Sequence, residues 1–135
     1  MTAVIETSKL SKWYGNVLGL SDVSLEIEPG VTGLLGPNGA GKSTFLKLIT
    51  GQIKPSIGAV RIFNQRVRRN QGLFSRIGFC PEHDSFYEEM TGWVFLTSLL
   101  KLQGFSSVEI RSRAEKALDI VELSADKDRL IRAYS

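Results

Sequence analysis

Residues 36–44 read Gly-Pro-Asn-Gly-Ala-Gly-Lys-Ser-Thr, the G-x-x-x-x-G-K-[ST] pattern of a phosphate-binding loop, or P-loop. Such a loop joins a strand to a helix, so it constrains three consecutive elements at once. Gly39 and Gly41 allow positive φ and a close approach of the backbone to an anion, where a Cβ would intrude. The N–H groups of the loop can then turn inward around phosphate oxygens. Lys42 is a point charge that can reach the β- and γ-phosphates of a nucleoside triphosphate. The Ser43 hydroxyl is an oxygen ligand of the kind Mg²⁺ prefers. A helix opening at Ser43 would add the partial positive charge of its N-terminal end. The candidate phosphate-binding residues are therefore Gly36, Pro37, Asn38, Gly39, Ala40, Gly41, Lys42, Ser43 and Thr44, with Lys42 as the catalytic cation.

The flanks suit that assignment. Val31-Thr32-Gly33-Leu34-Leu35 is a short apolar run that predicts a buried strand. Phe45, Leu46, Leu48 and Ile49 give the following segment, Ser43 to Thr50, an apolar helix face, and Gly51 supplies a C-cap. A plain glycine-rich turn has no reason to carry Lys-Ser-Thr at this spacing. A dinucleotide-binding loop is disfavoured too. Position 44 is Thr rather than a third small residue, and no acid stands roughly 20 residues on, where Arg61 and Asn64 lie.

Composition limits the remaining choices. A chain of 135 residues is the size of one domain, and 42% hydrophobic with 23% charged residues is ordinary for a globular protein. The net charge of +3 is too small to argue for nucleic acid. Cys80 is the only cysteine, so no internal disulfide can form and a reducing compartment is expected. Met1 to Glu6 has neither the basic nor the apolar region of a signal peptide. The apolar piece Trp93 to Leu100 is too short to span a bilayer, so a membrane role would have to come through a partner.

Along the chain, Ala3 to Lys12 predicts a strand that ends at a Gly15-Asn16 turn. In Val17 to Glu28, Val23, Leu25 and Ile27 alternate with polar residues, the pattern of a half-exposed antiparallel strand. Ala59 to Asn64 is a further short strand. Arg66, Arg68, Arg69 and Arg76 have only Phe74 among them, which favours a solvated face over a nucleic-acid site. Ile77 to Cys80 reads as a strand stopped by Pro81, with Cys80 in the core. His83 lies between Glu82 and Asp84 with no second His or Cys at ligand spacing, so a metal site there is not expected. Trp93 to Gln103 predicts a helix behind the N-cap Thr91. Ser106-Ser107-Val108-Glu109 is a capping box that opens a second helix. Ile110, Ala114, Ala117, Leu118 and Val121 form its core-facing stripe.

With these residues in place, the chain resembles the ATP-binding cassette (ABC) ATPases. Gly33 to Thr44 is very similar to that family's own P-loop, the Pro-Asn-Gly-Ala filling included. Leu10-Ser11-Lys12-Trp13-Tyr14-Gly15 resembles the family's A-loop, whose aromatic stacks on adenine. Tyr14 matches by position, Trp13 competes, and a core Tyr is the plain alternative. Ile77 to Glu82 looks like the strand that enters the Q-loop, although Glu82 stands where the family usually has Gln. The resemblance implies that Ser43 and Glu82 face Mg²⁺. The segment Thr91 to Glu122 resembles the helical subdomain, and Tyr134-Ser135 the first residues of the signature motif.

The resemblance covers the whole chain but about the first half of the family's domain. It implies an α/β P-loop NTPase fold of the ABC type. A nucleotide-binding core with an antiparallel β subdomain is expected over 1–90, and the helical subdomain over 91–135. ATP and Mg²⁺ are the implied cofactors. The implied partners are a membrane-spanning transporter subunit and a second ATPase subunit dimerised around ATP, on the cytoplasmic side. The second acidic strand with its catalytic Glu and the switch His have no counterpart in these residues, so the chain alone is expected to hydrolyse little ATP. Two other readings compete. One is a soluble ABC ATPase acting on ribosomes or nucleic acid. The other is a non-catalytic nucleotide-binding fragment that regulates a full cassette.

Overall fold

A computed structural model describes residues 3–80 and 87–134. The chain divides into two units, Met1–Phe79 and Cys80–Ser135, each with its own packing.

The first unit is built on an antiparallel sheet. Strand β1 (Ile5–Tyr14) turns back at Gly15 and Asn16 into β2 (Val17–Ile27). Gly15 takes φ 57°, which suits a tight hairpin turn. The pairing runs from Tyr14 opposite Val17 to Ile5 opposite Ile27. On its other side β1 pairs with β3 (Ile57–Ile62), which turns at Phe63 and Asn64 into the short β4 (Gln65–Arg66). Phe63 and Asn64 both have positive φ, 49° and 60°, as a two-residue hairpin turn of the primed type requires. The strand order is β2-β1-β3-β4.

The β1–β2 ladder slips between Thr7 and Leu10 and again up to Trp13. Two buried hydroxyls repair it. Thr7 Oγ1 donates to the Val23 carbonyl and accepts from the Leu25 N–H, both at 3.1 Å. Ser11 Oγ accepts from the Asp22 N–H at 2.9 Å. Each stands in for a ladder bond lost to the slip, so the buried backbone groups stay paired.

Helix α1 (Lys42–Ile49) lies on this sheet through Phe45, Leu48 and Ile49. Leu10 and Leu48 are fully buried at the centre, with Leu20, Val60, Ile62, Val67 and Leu73 around them. Gly51 closes α1 at φ 74°. Its N–H donates to Leu48 O at 3.1 Å and that of Gln52 to Lys47 O at 2.9 Å, the paired bonds of a Schellman motif. Gly58 has to be glycine, because at φ 81° a Cβ would run into the backbone carbonyls of Ser8 and Lys9. A one-turn helix, α2 (Gln71–Phe74), is capped by the Asn70 side chain and brings Leu73 into the core.

Three expectations fail here. Val31 to Leu35 forms no strand, and Val31 and Leu35 are exposed. Ile77 to Cys80 forms none either, and Cys80 is exposed rather than in the core. A strand exists only by pairing, and neither run is a strand of the β2-β1-β3-β4 sheet. An apolar run signals that neighbours are needed on both faces without supplying them.

The second unit holds α3 (Gly92–Leu102) and α4 (Ser107–Ile120). Thr91 Oγ1 accepts from the Val94 N–H at 3.2 Å and caps α3. The capping box of α4 forms as the sequence predicts. Ala114 and Leu118 of its stripe are buried, whereas Val121, one residue past the helix, is exposed. Two short 3₁₀ turns, Ser124–Asp126 and Ile131–Ala133, bring the chain back to the start of α3. There Trp93 N–H donates to Lys127 O at 2.8 Å, and Tyr134 Oη donates to Asp126 O at 2.7 Å. Tyr134 packs on Gly92, where a Cβ would strike its hydroxyl.

Candidate functional site

The loop of residues 36–41 has no regular structure, and its conformation follows from its glycines. Gly39 and Gly41 take φ of 83° and 89°. The Ala40 N–H donates to Pro37 O at 3.2 Å and turns the loop; the Phe45 N–H donates to Gly41 O at 2.8 Å and begins the helical ladder. Between these two bonds, the N–H groups of Gly41, Lys42, Ser43 and Thr44 meet no acceptor among the described residues. They are the orphan donors that any helix N-terminus leaves, here at the end of a glycine loop. Gly41 also sits tight on the sheet: a Cβ there would lie 2.7 Å from the Gly19 carbonyl oxygen and 3.0 Å from Leu20 Cδ1.

The Lys42 ammonium folds back over the loop, donating to Gly36 O at 2.7 Å and Pro37 O at 2.8 Å. It therefore stays at the loop rather than extending into solvent. Ser43 is exposed at the start of α1, and Thr44 beside it is half-buried. Tyr14 reaches this place from the end of β1, with its hydroxyl 3.5 Å from Thr44 Oγ1. The Lys12 ammonium stands 5.3 Å from the centre of the Tyr14 ring. Successive strand residues face opposite ways, so Trp13 points to the other side of β1. Tyr14 is 45% exposed, which is not the environment of a core tyrosine.

Glu82, like His83 and Asp84, lies outside the described residues. Among the described residues no group of three or more His, Cys, Asp or Glu gathers to hold a metal. Mg²⁺ at a nucleotide needs only one or two protein oxygens beside the phosphates, and Ser43 Oγ is free to be one. The glycines, the open N–H groups and the ammonium fit a polyphosphate.

A cleft of about 640 Å³ lies elsewhere, past the C-terminal end of α1. Lys54, Arg66, Arg68, Arg69, Val67 and Phe74 line it, and no residue of the loop does. Arg66, Arg68 and Arg69 are exposed, and the Arg76 guanidinium lies 4.2 Å from the centre of the Phe63 ring.

A family model described as ABC transporter matches residues 20–135. The chain belongs to the ABC transporter family. It is 38% identical to the bacitracin transport ATP-binding protein BcrA of Enterococcus faecalis, over all of this chain and 44% of that protein. It is 35% identical to the daunorubicin/doxorubicin resistance ATP-binding protein DrrA of Streptomyces peucetius, over 99% of this chain and 41% of that one. A nucleotide-free ATP-binding cassette from an ABC transporter superposes with a TM-score of 0.80 at 26% identity, covering 99% of this chain and 60% of that one. A cassette in its ADP conformation gives the same TM-score and identity over 100% of this chain and 60% of its own. The chain thus has part of the ABC ATPase fold and spans less than half the length of these curated relatives. Among its described residues no helix is long and apolar enough to cross a membrane.

Lys42 and Tyr14, both expected from the sequence, lie at the loop. Gly19, which carries no motif signal, meets Tyr14, Thr44 and Gly41 only through the fold.

Proposed function

We propose that this cassette binds MgATP at residues 36–44 and, within an intact domain, couples ATP binding and hydrolysis to transport through a membrane-spanning partner. The observation that carries this reading is the set of open N–H groups at Gly41 to Thr44 beside the Lys42 ammonium. Gly36 to Thr44 hold the phosphates. Lys42 leaves two neutral carbonyls for β- and γ-phosphate oxygens, which are stronger acceptors for an ammonium. Ser43, with Glu82 as a second candidate, supplies oxygen to Mg²⁺, and Tyr14 supplies an aromatic face to adenine. Bound Mg²⁺ would neutralise charge on the β- and γ-oxygens, as it does across phosphoryl-transfer sites.

Membership of the transporter family supports the partner assignment, a second cassette paired around ATP, and a place at the cytoplasmic face of a membrane. One similar structure is described as part of the transporter complex cbiONQ. Curated relatives include proteins named for export and for import. These relatives favour a transporter over a ribosome- or nucleic-acid-directed ATPase.

The test is titration of the chain with ATP and Mg²⁺, followed by amide shifts in the NMR spectrum. Shifts are expected at Gly39 to Thr44. Lys42→Ala should weaken binding about tenfold or more, as for loss of a charged hydrogen bond. Equal affinity of the wild type and the Lys42→Ala variant would overturn the proposal.

A further inference from the structure

Tyr14 and the phosphate loop meet the same residue of β2, Gly19. A Cβ built on Gly19 would lie 2.6 Å from Tyr14 Cε2, 2.9 Å from Cδ2 and 3.4 Å from Thr44 Oγ1. One edge of the Tyr14 ring therefore occupies the space that a side chain at position 19 would fill. From the other direction, the Gly19 carbonyl oxygen is the atom that bars a Cβ at Gly41. Gly19 thus adjoins the aromatic ring, the end of the loop and the glycine that precedes α1. Its own φ lies outside the left-handed region, so backbone conformation does not call for glycine here. The missing side chain is what the packing uses.

We propose that Gly19 is a positioning residue of the nucleotide site. By carrying no side chain it lets the Tyr14 ring lie against β2 with its hydroxyl at Thr44, and so sets the spacing between the base platform and the phosphate loop. This rests on the reading of Tyr14 as the adenine platform. Gly19 is the extra residue of the register shift in β2, flanked by Leu18 opposite Trp13 and Leu20 opposite Lys12, so a side chain there meets a backbone paired on both sides and presses first on the ring. The ring can yield by turning about its own side-chain bonds, whereas a shift of the strand would disturb the pairs on either side of Gly19. The effect should therefore fall on the base and spare the phosphates.

The experiment compares the wild type with Gly19→Ala, Tyr14→Ala and the double variant. Each is titrated with MgATP and with magnesium tripolyphosphate, which has no base. Aromatic stacking contributes about 0.5–1.5 kcal/mol, so displacement of the ring should weaken ATP binding about two- to thirteenfold. Tripolyphosphate affinity should not change, and Gly19→Ala should add nothing once Tyr14 is Ala. A purely structural role would weaken both ligands together, and that result would overturn the proposal. So would a Gly19→Ala effect that persists without the Tyr14 ring. If Tyr14→Ala weakens ATP while Gly19→Ala does not, Tyr14 stands as the platform and the role of Gly19 falls. If Tyr14→Ala changes neither ligand, the platform reading falls and takes this proposal with it. Retained thermal unfolding of Gly19→Ala shows that the comparison is made on folded protein.

Discussion

Gly39 and Gly41 look equivalent in the motif, and the structure predicts that they are not. Both take a left-handed φ, 83° and 89°. An alanine there is strained by about 1–2 kcal/mol in either case. A Cβ on Gly39 meets nothing within 4 Å, so the strain is the whole effect. A Cβ on Gly41 meets the Gly19 carbonyl oxygen at 2.7 Å, and that atom is β2 backbone between Leu18 and Leu20, which both pair with β1. Overpacking against such a neighbour costs about 1–3 kcal/mol more. Gly39→Ala should therefore destabilise by about 1–2 kcal/mol and Gly41→Ala by about 2–5 kcal/mol. The lower unfolded-state entropy of alanine enters both variants equally and cancels from the comparison.

Urea unfolding read by tryptophan fluorescence tests this. Trp13 reports on the first unit and Trp93 on the second, so a Trp93→Phe background isolates the first. With an m-value of about 2 kcal/mol per molar, the midpoint of Gly41→Ala should lie roughly 1 M below that of Gly39→Ala. Equal midpoints would refute the reasoning, because they would mean that the loop is not seated on β2.

Two further outcomes follow from packing and from pH. Leu48 is 1% exposed at the centre of the first unit, so Leu48→Ala should cost about 2–5 kcal/mol in the same urea assay. Glu109 accepts from the Ser106 hydroxyl at 2.6 Å and from the Ser106 N–H at 3.0 Å. These bonds, the hydroxyl first, hold its carboxyl below the ordinary value of 4.5. A depressed folded-state pKa contributes stability that is present above the unfolded value and lost as pH falls through the folded one. Amide exchange in the first turn of α4 should therefore stay slow from neutral pH to about 4.5 and quicken below it, once intrinsic exchange rates are divided out. Ser106→Ala should flatten that acid-side change.

What the sequence could show was local. The passage from the glycine loop into α1, the Gly51 cap, the turn at Gly15 and the Ser106–Glu109 box each depend on residues within a few positions of one another, and the structure forms all four. Alternation in Val23, Leu25 and Ile27 likewise identified a half-buried strand, because side chains on a strand face opposite ways whatever lies beside it. The helix stripe located Ala114 and Leu118 for the same reason, with a period of 3.6 instead of 2.

The tertiary structure alone decided the rest. Whether Val31 to Leu35 pairs depends on what the fold sets beside it, which its apolar composition does not supply. The burial of Thr7 and Ser11 follows from a slip in the β1–β2 register, which no residue pattern announces. Tyr14 was a candidate by position, but its distance to Thr44 depends on how β2 lies against α1. That approach is possible because Gly19 and Gly41, 22 residues apart in the chain, both lack a Cβ at one point of contact. A sequence records each glycine separately; only the fold shows that the two share one space.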